Sequence, residues 1–197
     1  MFIVGAAAAL LASPCLSRCV ALATDRRPDP RLIASAAFAS ALLIVWRAEG
    51  ALHGAALSLV AAVGIVAGWI DAYERRLPDV LVLPAYPAVA ALLLAAADAE
   101  TMLRAAACAA ALAGLYLAGH VLGQLGFGDV KLAGLLGLVL GWASWRTVAV
   151  AVAATLVIGG AQAAVVLALR RSEFPFGPAM LFGASAALVI TNMGIAH

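Results

Sequence analysis

Apolar residues in this chain come in long runs separated by short polar breaks, and the runs recur from one end to the other. Eight can be drawn, at roughly 2–23, 32–48, 55–71, 80–97, 105–123, 132–146, 147–169 and 178–196. Each is about 15 to 23 residues long, near the ~20 that a helix needs to cross the hydrocarbon core of a bilayer. The pattern predicts an all-α polytopic membrane protein of about eight transmembrane helices. It forms a single integral membrane domain over 1–197, because the breaks leave no room for a soluble one.

Composition agrees with that reading. The 197 residues are 66% hydrophobic and 11% charged, with a mean hydropathy of +1.09, values that fit membrane spans and exclude an ordinary soluble domain. Charge placement then predicts orientation, since basic loops stay cytoplasmic. With the N-terminus outside, Arg18, Arg26, Arg27, Arg31, Arg75, Arg76, Lys131, Arg170 and Arg171 fall at inner ends, and Arg47, Arg104 and Arg146 at outer ends. Nine of the twelve basic residues are then inside.

The first run carries Ser13-Pro14-Cys15, which invites comparison with a secretory signal. It lacks a basic region ahead of the apolar stretch, and Arg18 comes late in it, so an uncleaved helix is the expectation. Cys15 and Cys19 share one helix face but have no second pair and no nearby histidine; with Cys108 they read as packing thiols. Residues 24–31 form a polar break with Pro28 and Pro30, read as a solvated inner loop whose arginines can meet anionic head groups. Glu49 to Gly54 and Asp98 to Arg104 read as short outer turns without chemistry. Gly64-xxx-Gly68, Gly119-xxx-Gly123 and Gly137-xxx-Gly141 have the spacing that lets membrane helices approach closely.

Two aspartates interrupt this apolar background. Asp71 lies in Trp69-Ile70-Asp71-Ala72-Tyr73, and Asp129 lies in Gly126-Phe127-Gly128-Asp129-Val130-Lys131-Leu132. An acid at membrane depth is costly and is by default a functional-site hypothesis. Asp71 is expected at a helix end close to water, because Leu77-Pro78-Asp79 opens a new helix after a short charged turn. Gly126 and Gly128 are expected to free the backbone so that a loop carries Asp129 back to the inner boundary. Two carboxylates within a few Å share a proton, so the pair holds an acid and a base together. A lone aspartate at a helix end is usually a cap; the joint occurrence is what favours chemistry.

Asp71, Leu77-Pro78-Asp79, Leu83-Pro84, the Gly126 to Leu132 motif and Pro175-Phe176-Gly177-Pro178, in that order, closely resemble the motifs of the type IV prepilin peptidases over about 64–183. The resemblance implies an intramembrane aspartic endopeptidase of the Gly-x-Gly-Asp class with Asp71 and Asp129 as catalytic pair. Gly126, Gly128, Lys131, Pro78, Asp79, Pro175, Gly177 and Pro178 are its supporting motif residues. It also implies removal of the basic leader of pilin-like precursors, after a glycine, at the cytoplasmic face of the inner membrane. Neither metal nor organic cofactor is implied. The implied partners are the precursors and membrane lipid, with pilus assembly machinery as a further candidate and no nucleic acid. Bifunctional relatives carry an insert with two Cys-x-x-Cys pairs and methylate the product; this chain has only Thr24 to Arg31 there and is similar to the short, peptidase-only kind.

Other polar residues are open to two readings. Lys131 either biases the aspartates toward the ionised state or meets an acidic substrate residue, or else it snorkels to the interface. Glu173 reads as a solvated loop charge beside Pro175, His120 in the fifth helix and His53 in an outer turn as structural. A rival function, a small proton- or cation-coupled transporter, would use the same paired acids. Such a carrier is expected to have polar groups or broken helices near the midplane.

Overall fold

The structure, a computed structural model, describes residues 12–21, 28–74, 76–169 and 175–193. All the regular structure among them is helical. A first helix, α1 (12–21), is followed by α2 (Pro30–Arg47), α3 (Ala51–Glu74), α4 (Asp79–Leu94), α5 (Ala99–Val121), α6 (Phe127–Ala143), α7 (Trp145–Ala168) and α8 (Gly177–Met193). Four of these, α2, α3, α5 and α7, are long and apolar enough to cross a membrane, which makes the chain a multi-pass membrane protein.

Several helices begin earlier than the apolar runs, because their first turns are polar and capped. Asp29 accepts the N–H of Arg31 at 2.8 Å and Pro30 takes the first helical position of α2. Asp98 accepts the N–H of Thr101 at 2.7 Å, so the stretch from Ala99 to Arg104 is the first turn of α5 and not a loop. That bond holds the Asp98 carboxyl below its ordinary value. His53 likewise belongs to α3, where it is buried, instead of to an outer turn. Ser144 alone joins α6 to α7, closing one helix and capping the next through the N–H of Thr147 at 3.1 Å.

The short connections make successive helices antiparallel, and α6 is the centre of the bundle. Thirteen of its 17 residues are buried, and it touches α3, α4, α5, α7 and α8. A helix buried on nearly every side has no face left for lipid. Glycines allow the crowding: a Cβ on Gly137 would lie 2.6 Å from Ala109 Cα, and one on Gly141 2.9 Å from Ala105 Cα, so α5 and α6 meet backbone to backbone. Gly64 and Gly68 similarly receive Leu181 of α8. Gly123 departs from the packing reading. It takes φ +73° and nothing lies against it; its N–H bonds His120 O at 2.8 Å while that of Gln124 bonds Gly119 O at 3.0 Å, a left-handed stop to α5. α1 joins through Val20, packed with Ile33 of α2 and Val66 and Ile70 of α3.

Cross-helix bonds identify the two ends of the bundle. At one end the start of α6 meets the start of α4, and the end of α3 meets the start of α8. At the other, the start of α5 and the turn before α3 meet the end of α6.

Candidate functional site

Asp71 lies in the last turn of α3 and its side chain is buried, 6% exposed. Its Oδ2 accepts the backbone N–H of Gly177, the first residue of α8, at 2.9 Å. A helix N-terminus carries unpaired N–H groups and the positive end of the dipole, so it solvates a carboxylate where water is scarce. Glycine is required at 177 by space: a Cβ there would stand 2.8 Å from the same Oδ2. Pro178 follows in the first turn of α8, where its missing N–H costs nothing. The Pro175 to Pro178 segment thus has a local reason for its glycine and its second proline.

Asp129 is also buried, 8% exposed, and also sits at a helix N-terminus. Helix α6 begins at Phe127, so the acid is carried on its first turn and not on a loop folding back. Its Oδ2 accepts the N–H of Gly126 at 3.0 Å, as a third-position acid does when it caps its own helix. Neither Gly126 nor Gly128 needs a conformation closed to other residues: Gly126 has φ −72° and ψ 149°, and Gly128 is helical. Proximity is the constraint at 128, where a Cβ would lie 2.6 Å from Leu77 Cβ, just ahead of Pro78. Pro78 caps α4 in extended conformation, as the residue before a helix must.

Both aspartates line one cavity of about 760 Å³, and they lie within electrostatic reach of each other. Each spends Oδ2 on one backbone N–H, and no hydrogen bond reaches either Oδ1 among the described residues. Gly126, Pro175 and Phe176 join them in the wall; Gly128, Pro178 and Asp79 stand outside it. Leu115, Tyr116, Val152 and Leu156 give the cavity an apolar flank between α5 and α7. The chemistry available is that of two carboxylates in a mostly apolar cleft.

Lys131 does not reach the aspartates. Its Nζ meets Asp79 Oδ1 at 2.6 Å and lies 4.7 Å above the ring of Phe127, tying the starts of α6 and α4 together. His120 is structural, its Nδ1 2.8 Å from Leu125 O and its ring tilted on Phe127. Glu173 lies outside the described residues, as do Arg26, Arg27, Arg75, Arg170 and Arg171 of the orientation argument. Among the described residues no group of three or more His, Cys, Asp or Glu could hold a metal ion.

A family model described as the type IV leader peptidase family matches residues 57–191, spanning both aspartates and the Pro175 to Pro178 segment. The chain belongs to the type IV leader peptidase family. No curated protein and no solved structure matches it.

Sequence reasoning missed part of this peptidase's cleft. Tyr116 is buried, its ring 6.1 Å from Phe176, and it lines the cavity that holds both aspartates. A hydroxylated aromatic in the alanine-rich α5, four residues after the buried Leu112, was the available signal.

Proposed function

We propose that this leader peptidase is an intramembrane aspartic endopeptidase in which Asp71 and Asp129 are the catalytic pair, and that it removes the leaders of type IV pilin-like precursors. The observation that carries the reading is the shared cavity, with each acid fixed through Oδ2 and, among the described residues, unbonded at Oδ1. One ionised carboxylate takes a proton from water as the water attacks the scissile carbonyl, while the protonated partner donates to the carbonyl oxygen. Collapse of the tetrahedral species passes a proton to the leaving nitrogen. The titration belongs to the pair, so the two roles are not divided between the residues.

The apolar flank formed by Leu115, Val152 and Leu156 suits the apolar segment that follows a pilin-type leader, and the cleft lies at one end of the bundle, where a leader in water can reach it. A carrier needs its acids near the midplane. With the basic residues inside, this end faces the cytoplasm of an inner-membrane protein. The chain has no pair of Cys-x-x-Cys motifs, which supports cleavage without methylation. The test is to incubate the purified protein in lipid with candidate precursors and weigh the products. A single cut releasing the basic leader is expected; intact precursors throughout would refute the proposal.

A further inference from the structure

Helix α7 buries Thr147, Val148, Ala151, Thr155 and Gly159, a stripe at the three- and four-residue spacing of a single helix face. On this face Thr155 packs against α8 so closely that a Cβ on Gly183 would stand 2.8 Å from the Thr155 backbone nitrogen. Helix α7 has no room to move toward α8 there. One turn further on, Gly159 receives the residue just ahead of α8: a Cβ on it would stand 2.8 Å from Cε2 of Phe176. That is well inside the ~3.5 Å at which carbon atoms come to rest. The next residue, Gly160, is exposed, and a Cβ on it would meet nothing within 4 Å. Of two adjacent glycines, only Gly159 is required by space.

Phe176 has a second ring neighbour in Tyr116 of α5, 6.1 Å away and tilted by 54°. Its backbone belongs to the start of α8, where its carbonyl accepts the N–H of Met180 at 3.2 Å. The residue after it is Gly177, whose N–H holds Asp71 Oδ2 at 2.9 Å. Pro175 and Pro178 flank the pair, and each fixes one backbone torsion, so the segment has few ways to absorb a shift of the ring before Gly177 moves. A contact on α7 is thus linked by two consecutive residues to a carboxylate on α3.

We propose that Gly159 is a positioning residue of the leader peptidase: it gives the Phe176 ring its seat on α7, and that seat sets where the Gly177 N–H stands and which way Asp71 faces the cavity. The role rests on the proposed catalytic function of Asp71. Gly159 does not line that cavity itself, so its influence passes through Phe176.

Steady-state kinetics of leader removal by the full-length protein in lipid test this, with thermal melts run beside them. Gly159→Ala should lower kcat about tenfold, the scale of a displacement below 1 Å, with KM for the precursor unchanged. Gly160→Ala makes the same change one residue away and should leave kcat and KM as they are. Phe176→Leu empties the seat without crowding it, and should lower kcat about fivefold even if Gly159→Ala does not fold. In the Phe176→Leu background the added methyl group has no ring to displace, so Gly159→Ala should cost nothing further; such non-additivity reports a direct coupling. Wild-type kcat in Gly159→Ala or in Phe176→Leu would overturn the proposal, as would equal losses in Gly159→Ala and Gly160→Ala, or losses that multiply in the double variant. A rise in KM with kcat unchanged would also overturn it, since that marks lost substrate binding. Asp71→Asn separates this role from the reading beneath it. If Asp71→Asn cuts like the wild type, both fall; if it is inactive while Gly159→Ala is normal, only the role of Gly159 falls.

Discussion

The two ends of this bundle both bury polar side chains, and they use them differently. At the end remote from the aspartates, Arg104 caps the last carbonyls of α6, Trp142 donates to Glu49, and Thr147 donates to Thr191 at 3.2 Å. His53 accepts the N–H of Glu49 at 3.2 Å and stacks on Trp142 with centroids 4.7 Å apart. Apart from Arg47 Nε, these groups spend their bonding capacity on one another. At the aspartate end, two acids are pinned by a single N–H each and share an open cavity. Satisfied networks rigidify a structure, whereas bonding capacity left facing a cavity marks a place for something to bind or react. The remote end is a clamp, and the aspartate end is the site on the proposed function.

If the ends face different compartments, labelling should separate them completely. In a background with Cys15, Cys19 and Cys108 replaced, Arg76→Cys and Gln124→Cys should react with an impermeant thiol reagent only from the cytoplasmic side, and Glu100→Cys only from outside. Labelling of Arg76→Cys and Gln124→Cys from opposite sides would break the shared site.

The next largest effect is expected from small changes around the aspartates. Gly177→Ala adds one methyl group where the Asp71 carboxylate stands, and should lower kcat for leader removal about 100-fold by displacing it. Gly128→Val should act similarly, because its side chain would collide with Leu77 and shift the first turn of α6 that carries Asp129. Thermal melts run beside the kinetics should show that the fold survives. Unchanged rates would mean that the close contacts position nothing.

The clamp should respond in the opposite sense. Arg104→Met removes charge-assisted bonds to two carbonyls and should cost about 2 kcal/mol of stability, read from unfolding in detergent, with kcat unchanged. Smallest of all, Asp79→Asn should cost less than about 1 kcal/mol, since Asp79 is 56% exposed and its pair with Lys131 is partly solvated. A large fall in kcat in Asp79→Asn would show that Lys131 acts on the aspartates after all.

The all-helical fold was legible because long apolar runs have few other uses, but helix starts were not. Polar, capped first turns such as those of α5 at Asp98 and α6 at Phe127 read as loops when hydrophobicity alone is followed. Asp71 and Asp129 stood out because acids are rare in such helices. Their supports did not, because both are backbone N–H groups, those of Gly177 and Gly126, which no side-chain pattern announces. The glycine reading failed in an instructive way. Gly126 and Gly128 suggested unusual backbone, whereas Gly128 is a matter of space and Gly123, read as a packing residue, takes a positive φ, as Gly50 also does. Lys131, two residues from Asp129, was left open between two readings because adjacency in sequence does not give direction; a helix turns it by about 200° away from that acid, toward Asp79.

The central claim is that Asp71 and Asp129 act as one acid–base unit, and the direct measurement is leader removal by Asp71→Asn and Asp129→Asn, each followed by mass spectrometry against a precursor that the wild-type protein cuts. Asparagine keeps the shape and can still accept an N–H through its carbonyl oxygen, so both variants should remain folded and inserted. Neither can supply the acid or the base. The account predicts that each single substitution abolishes cleavage, and that the double variant is no worse than either. Substantial turnover by either single variant would contradict it.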